Sequence, residues 1–222
     1  MSIMSTFESK LPADSLKTFQ SLKTPFVIQQ YLDSLSYQAV ERDRSPLNVM
    51  LDRQSHCLDG GLLGALALWR IGFKPLILDI RPDPGVDDDH VLALYQYDGR
   101  WGALAKSNYI NLGFREAVHK NLRELVMTYF EHYASIRQRK VLTGYTRPFD
   151  VSKFPLKDWA WNEDSTTELY KHFYSRKAIP LITKKMASRL NPITDRMYAA
   201  EIMYTNLSQS FGNRPEKVTF LT

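Results

Sequence analysis

The pattern of hydrophobic and polar positions predicts a first helix over residues 25 to about 36. Thr24-Pro25 indicates an N-cap followed by proline at the first helical position. Apolar side chains then recur at helical spacing, and they are Phe26, Val27, Tyr31, Leu32 and Leu35. We therefore expect an amphipathic helix that runs to about Ser36. A polar connection leads from there to Cys57.

The stretch that follows Cys57 predicts a buried helix. The sequence LDGGLLGALALWRIG is apolar on nearly every side, which is typical of a helix inside a core. Gly60, Gly61 and Gly64 each lower helix propensity by up to about 1 kcal/mol, a cost that indicates close approach of neighbouring backbone. Gly72 is placed where a helix C-cap is expected.

The next segment predicts antiparallel strands. Residues 75–80 form a compact apolar run, and a turn-rich acidic loop, RPDPGVDDD, follows it. The strand-like sequence HVLALYQY begins at His90, and Asp98-Gly99 is a strong hairpin signal before the returning strand WGALAKS.

The remaining pattern predicts mostly helices. Residues 114–136 carry an apolar stripe at helical spacing, and further helical stretches lie near 165–176, 178–190 and 194–208. The element order predicts an α+β fold, with a Cys-headed buried helix on an antiparallel sheet and a helical C-terminal appendage. We expect residues 1–145 to form the core and residues 146–222 a helical extension packed on it.

Composition narrows the class of protein. A chain of 222 residues with 44% hydrophobic and 24% charged residues is globular and not disordered. The N-terminal residues lack the apolar run of a secretory signal, and no later stretch suits a membrane span, so we expect a cytoplasmic protein without a membrane partner. The one cysteine cannot form an intrachain disulfide.

The charge distribution is uneven. The net charge is +5, and the basic excess lies in the last third of the chain. These basic residues are scattered and do not form one run, which favours a solvated face over a nucleic-acid interface. A nucleic-acid ligand would require binding that weakens steeply with salt.

Cys57 and His90 are the candidate catalytic residues. A thiol at a helix N-terminus is placed where the helix dipole favours thiolate and where backbone N–H groups can face an oxyanion. A tight turn at Asp98-Gly99 pairs residues whose numbers sum to 197, which sets His90 opposite Ser107 on one face. A Cys–His pair with a third group that orients the imidazole is the arrangement of nucleophilic catalysis.

Two segments carry a family resemblance. HCLDGGLLGALALWRIGFKPLILDI and DDDHVLALYQYDGRWGALAKS resemble the core of the transglutaminase-like superfamily, a papain-related fold, over roughly residues 45–110. The wider pattern, with SNYINLGFREAV and MTYFEHY, resembles bacterial transglutaminase-like proteins. The resemblance implies that Cys57 is the nucleophile and His90 the base. The family often has an Asp four places after a Trp, and here that place is Ala105; among Lys106, Ser107 and Asn108, the register favours Ser107 as the third residue.

Other polar clusters have simpler interpretations. His56 is interpreted as a surface or satisfied polar residue, and Asp87-Asp88-Asp89 as a solvated loop beside the site, although three carboxylates can bind a hard cation. The spacing of His119, Glu131 and His132 does not support a metal site. Packing explains the aromatic clusters at 159–161 and 170–174 at least as well as stacking on a ligand does.

The sequence thus predicts cysteine-dependent acyl transfer, or amide or ester hydrolysis, by Cys57, His90 and Ser107. We expect a small-molecule or peptide acyl substrate, no cofactor and no metal, with the oligomeric state open. The alternative is a non-catalytic binding protein of the same fold.

Overall fold

The structure is a computed structural model that describes residues 2–40 and 42–213. The N-terminal half contains α1 (Ile3–Lys10), α2 (Ala13–Ser21), α3 (Pro25–Asp33), β1 (Ser36–Tyr37), α4 (Pro46–Asp52), β2 (Gln54–Ser55) and α5 (Cys57–Arg70). The strands β3 (Leu76–Pro82), β4 (His90–Tyr97), β5 (Arg100–Leu104) and β6 (Arg115–His119) follow, and then α6 (Leu122–Met127). The remainder comprises β7 (Leu142–Thr146), β8 (Phe149–Asp150), α7 (Glu163–Tyr174), β9 (Ala178–Pro180), α8 (Lys184–Ala187) and α9 (Asp195–Glu201).

A largely antiparallel arrangement of strands forms the centre of the molecule. The strand order is β6-β5-β4-β3-β7-β9, and β8 pairs with β3 beside β7. Side chains of β4 alternate between the two faces of this sheet. Val91 and Ala93 join the core with α3, α4 and α5, whereas Leu92 and Leu94 join a second core with α6 and the residues after it. The protein is an α+β protein, as predicted.

The predicted helix around Cys57 and the predicted hairpin are confirmed. The helix α5 begins at Cys57, and Gly72 follows it with a φ of 96°. In the hairpin, Asp98 and Gly99 have φ values of 48° and 73°, the left-handed pair that a tight turn requires. The pairs from Gln96 with Trp101 to Ala93 with Leu104 follow the predicted register. The ladder ends there, because β5 ends at Leu104, and it does not extend to the predicted pair of His90 and Ser107.

The prediction of one long helix over residues 114–136 is wrong. Residues 115–119 form β6, which pairs with β5, and only Leu122–Met127 is helical, with Asn121 as its N-cap. Exposed positions of β6 alternate with half-buried or buried ones, as expected of a strand with one face towards solvent. Pairing with a distant strand outweighs local helix propensity here.

The C-terminal part is less helical than predicted. Residues 178–180 form β9 and pair with β7, and α8 covers only residues 184–187 of the helix predicted near 178–190. The expected boundary between residues 145 and 146 falls within β7, and the division into two domains stays a prediction. Residues 214–222 of the expected extension lie outside the described residues.

No helix in the described parts of the chain is long and apolar enough to cross a membrane.

Candidate active site

Cys57 lies at the first turn of α5, and its helix start is fixed by a capping network. His56 is the N-cap: its Nδ1 accepts a hydrogen bond from the N–H of Leu58 at 3.3 Å. The N–H of His56 in turn donates to Oδ2 of Asp59 at 3.4 Å. His56 is buried, so it is not a surface residue. Because the Leu58 N–H is already engaged, this group is not free to bind an oxyanion.

A buried network behind Cys57 anchors the N-terminus of α5. The carboxylate of Asp59 is buried and accepts from the backbone N–H of Arg44 at 3.0 Å and from the Tyr170 hydroxyl at 3.3 Å. Burial raises the pKa of this carboxyl well above its usual range, and the Arg44 side chain opposes that effect. Asp59 lies three residues after His56, which is the spacing of a capping box, although the usual residue types are Ser or Thr followed by Glu or Gln.

The thiol of Cys57 touches the backbone just before β4. Its Sγ donates to the carbonyl oxygen of Asp89 at 3.7 Å. Burial raises the pKa of the thiol strongly, and the carboxylates of Asp89 and Asp88 raise it further, against a backbone hydrogen bond from Val91. The expected thiolate at the helix N-terminus is therefore disfavoured in this structure, because burial and negative charge outweigh the helix dipole.

His90 is the first residue of β4 and is buried. Its Nε2 lies 2.8 Å from the carbonyl oxygen of Leu112. A carbonyl can only accept, so Nε2 carries the proton and Nδ1 keeps its lone pair. Burial lowers the pKa of His90 to about 4, against the raising effect of this hydrogen bond. The imidazole is therefore neutral at neutral pH.

Cys57, His90 and Ser107 line one small cavity of about 30 Å³, which has room for a water molecule. The hydroxyl of Ser107 accepts from the Tyr109 N–H at 2.9 Å, whereas Nε2 of His90 is held by Leu112. The predicted role of Ser107 in orienting His90 stays a prediction. The Leu112 carbonyl is a backbone group, and no side-chain pattern in the sequence indicates it.

Ala105 follows β5, where the family resemblance suggests an Asp. Its side chain is fully buried in the second core. Gln29 on α3 binds its backbone on both sides: Ala105 N–H donates to Oε1 of Gln29 at 3.0 Å, and Nε2 of Gln29 donates to the Ala105 carbonyl at 2.9 Å. Gln29 thereby fixes the chain that leads to Ser107.

The acidic loop forms part of the cavity wall. Asp87, Asp88 and Asp89 line the cavity, and the Tyr133 hydroxyl donates to the Asp88 carbonyl. The ring of Tyr133 also meets the His90 ring edge-on, with centroids 6.5 Å apart. Within residues 2–40 and 42–213, no group of three or more His, Cys, Asp or Glu side chains has an arrangement that could hold a metal ion. Tyr133 lies within the predicted helix 114–136, and nothing in that pattern indicates a place beside Cys57.

The remaining candidates lie elsewhere. Nδ1 of His119 donates to the Trp101 carbonyl at 3.0 Å in the β5–β6 ladder. His132 pairs with Glu201 at 2.6 Å, and Glu131 pairs with Lys140. Trp159 and Phe173 are fully buried in the first core. These residues contribute to packing and to ties between elements.

Comparison with known proteins gives only distant likenesses. No protein-family model and no curated protein sequence matches the chain. A solved structure of Legionella pneumophila LapG is similar with a TM-score of 0.37 and 12% identity, over 51% of this chain and 76% of that chain. The EGTA-treated form of LapG gives a TM-score of 0.37 and 13% identity, over 53% and 75%. At this distance the likeness supports no conclusion about chemistry, which must come from the residues described above.

Proposed function

We propose that the protein is a cysteine-dependent enzyme with a papain/transglutaminase-like core, which hydrolyses or transfers an acyl group. The observation that carries this proposal is the shared cavity of Cys57 and His90, in which Leu112 fixes the tautomer of His90. That tautomer leaves a lone pair on Nδ1, as a general base for a thiol requires.

The reaction would proceed through a thioester. Sγ of Cys57 attacks the acyl carbon of an amide, ester or thioester while Nδ1 of His90 takes the thiol proton. The tetrahedral intermediate collapses, the bond to the leaving group breaks, and His90 gives its proton to that leaving group. Water or an amine then attacks the thioester, with His90 accepting and returning a proton, and the free thiol is restored.

The resting charge state favours concerted proton transfer over a preformed ion pair. Because the pKa of Cys57 is raised and that of His90 is lowered to about 4, thiol and imidazole are both neutral at pH 7. Attack then requires the proton to leave sulfur as the new bond forms. The Leu112 carbonyl then takes the place of the third group at Nε2, and Ser107, which lines the same cavity, would act beside the Cys57–His90 pair and not through that nitrogen.

The rate of alkylation by iodoacetamide tests whether His90 activates the thiol of Cys57. Wild-type protein should react at one site at pH 7, and Cys57→Ala should not react, which intact mass reports directly for a chain with one cysteine. His90→Gln should lower the rate constant by about 10²-fold or more, in the range of general-base contributions. In the variant the rate should still rise with pH at pH 9, because burial and acidic neighbours hold the thiol protonated. Equal rates for wild type and His90→Gln would contradict the proposal.

The alternative is a binding protein that uses the same cavity. The neutral resting pair and the cavity of about 30 Å³ favour it. In that case, the Cys57→Ala variant would restore the wild-type phenotype to a deletion strain as fully as the wild-type protein does. If the protein is an enzyme, the Cys57→Ala variant would not restore it. A Cys57→Ser variant serves as the matched control, because it keeps the size of the side chain.

A further inference from the structure

A second cavity adjoins the one at Cys57. It has a volume of about 360 Å³ and shares Tyr37, Ser107 and Asn108 with the smaller cavity as lining residues. Asp33 and Lys106 also line it. The shared residues place the two cavities side by side, and we call them together the groove.

A segment near the C-terminus lies along this groove. We call residues 206–211 the strap. Asn206 lines the larger cavity, and Gln209, Ser210 and Phe211 line the cavity at Cys57. Ser210 is only 2% exposed, so this residue of the strap is packed against the rest of the protein. Positive φ values at Tyr204 (63°) and Gly212 (81°) redirect the chain on either side of it.

Asn108 holds the strap by its backbone. Nδ2 of Asn108 donates to the carbonyl of Asn206 at 2.9 Å, and the N–H of Asn206 donates to Oδ1 of Asn108 at 3.1 Å. This reciprocal pair reproduces the pattern by which one strand residue pairs with another. Asn108 thus recognises the backbone of the residue it binds and not that residue's side chain. Nδ2 of Asn108 also lies 3.3 Å from the Ser210 hydroxyl.

Two further contacts fix the strap and the helix before it. The N–H of Ala39 donates to Oε1 of Gln209 at 2.8 Å. Upstream, the buried carboxylate of Glu201 at the end of α9 binds Nδ2 of Asn111 at 3.0 Å and Nδ1 of His132 at 2.6 Å. The anchor at Glu201 is independent of the strap, so the strap can leave the groove while α9 stays docked.

We propose that the groove binds an extended peptide backbone through Asn108, and that the strap is an intramolecular occupant that covers Cys57 until it is displaced. The proposal rests on the proposed function only in taking Cys57 as the reacting group. The acyl substrate is then a peptide segment that must compete with the strap. The small volume of the cavity at Cys57 is a property of the covered state.

The test uses the full-length chain and the alkylation rate of Cys57. Asn206→Pro removes the N–H that Asn108 accepts, and the φ of −83° at Asn206 suits proline. The matched control Asn206→Ala keeps both backbone groups. We expect Asn206→Pro to raise the iodoacetamide rate constant about fivefold to tenfold, as loss of one hydrogen bond shifts a local opening equilibrium, and Asn206→Ala to stay within about twofold of wild type.

A peptide added in trans completes the test. Acetyl-NLSQSFGN-amide, the sequence of residues 206–213, should return the Asn206→Pro rate towards wild type in a saturable way, and a scrambled peptide should not. If Asn206→Pro does not fold, Gln209→Ala, which loses the Ala39 contact, should show a rate increase and the same protection. Unchanged rates in the folded variants, or no protection by the peptide, would overturn the proposal. Alkylation and peptide protection do not require turnover. A Cys57 that is alkylated at the same rate in wild type and His90→Gln would therefore refute the enzyme and leave the strap proposal standing.

Discussion

Replacement of His90 by Gln should make the protein less sensitive to acid. Glutamine can still donate to the Leu112 carbonyl, but it does not titrate. In the wild type, burial moves the pKa of His90 from its ordinary value of 6.5 to about 4. The unfolded chain therefore binds a proton below pH 6.5 that the folded protein excludes until about pH 4. Stability from this group is present above pH 6.5 and is lost as the pH falls through that window.

The size of the effect follows from the pKa difference. A shift of about 2.5 pKa units corresponds to roughly 3 kcal/mol. Between pH 7 and pH 4, the free energy of unfolding of the wild type should thus fall by about 3 kcal/mol more than that of His90→Gln. Contributions from the buried carboxyls Asp59 and Asp79 occur in both proteins and largely cancel in the difference.

Urea denaturation at pH 4, 5, 6 and 7, at constant ionic strength, measures this difference. Tryptophan fluorescence reports unfolding, because Trp159 is fully buried. The His90 ring-proton resonance, assigned by its absence in the variant, gives the pKa directly. A wild-type resonance that titrates above pH 6, together with a pH-independent stability difference, would refute the argument that burial controls His90.

Two further predictions concern the frame of the site, and urea denaturation measures both. Gly61→Ala should lower the free energy of unfolding by about 2 kcal/mol, because the new Cβ would lie 2.7 Å from the side chain of Val91 on β4. Gly64→Ala has its closest contact at 3.2 Å, from Ala93, and should stay within about 1 kcal/mol of wild type. An equal cost at the two positions would contradict the close packing of α5 on β4. Gln29→Met should cost about 2–3 kcal/mol, since it leaves the buried N–H and carbonyl of Ala105 unpaired, and the exposed control Gln30→Met should cost less than about 0.5 kcal/mol. A Gln29→Met protein as stable as the control would show that this contact is dispensable.

Local sequence signals predicted the part of the fold that carries the candidate site. The buried helix after Cys57 and the turn at Asp98-Gly99 are encoded by neighbouring residues, so both could be placed. The turn then fixed the β4–β5 register without knowledge of any distant contact.

Long-range contacts could not be predicted in the same way. Residues 115–119 have a helical pattern, yet β5 offers them an open edge, and they pair as a strand. The partner of His90 is a backbone carbonyl at Leu112, and its position depends on a short 3₁₀ helix over Ile110–Leu112. The strap reaches Asn108 from about a hundred residues away, and nothing in either sequence segment signals the pairing.

The predicted thiolate at Cys57 also differs from the structure, in which the pKa of the thiol is raised. A helix N-terminus favours thiolate, but the effect of the dipole is modest. Burial and the carboxylates of Asp88 and Asp89 act in the opposite direction and raise the pKa of Cys57. The acidic loop was visible in the sequence, but its distance from the sulfur was not.

Formation of an acyl-enzyme at Cys57 tests the central claim most directly. The experiment mixes p-nitrophenyl acetate with wild type, Cys57→Ser and His90→Gln at pH 7, and follows p-nitrophenol release and intact mass together. We predict a burst of one equivalent and a single acetyl adduct on Cys57 in the wild type, with the rate lowered about 10²-fold or more in His90→Gln. Acetylation of Cys57 at the same rate in wild type and His90→Gln would contradict the claim.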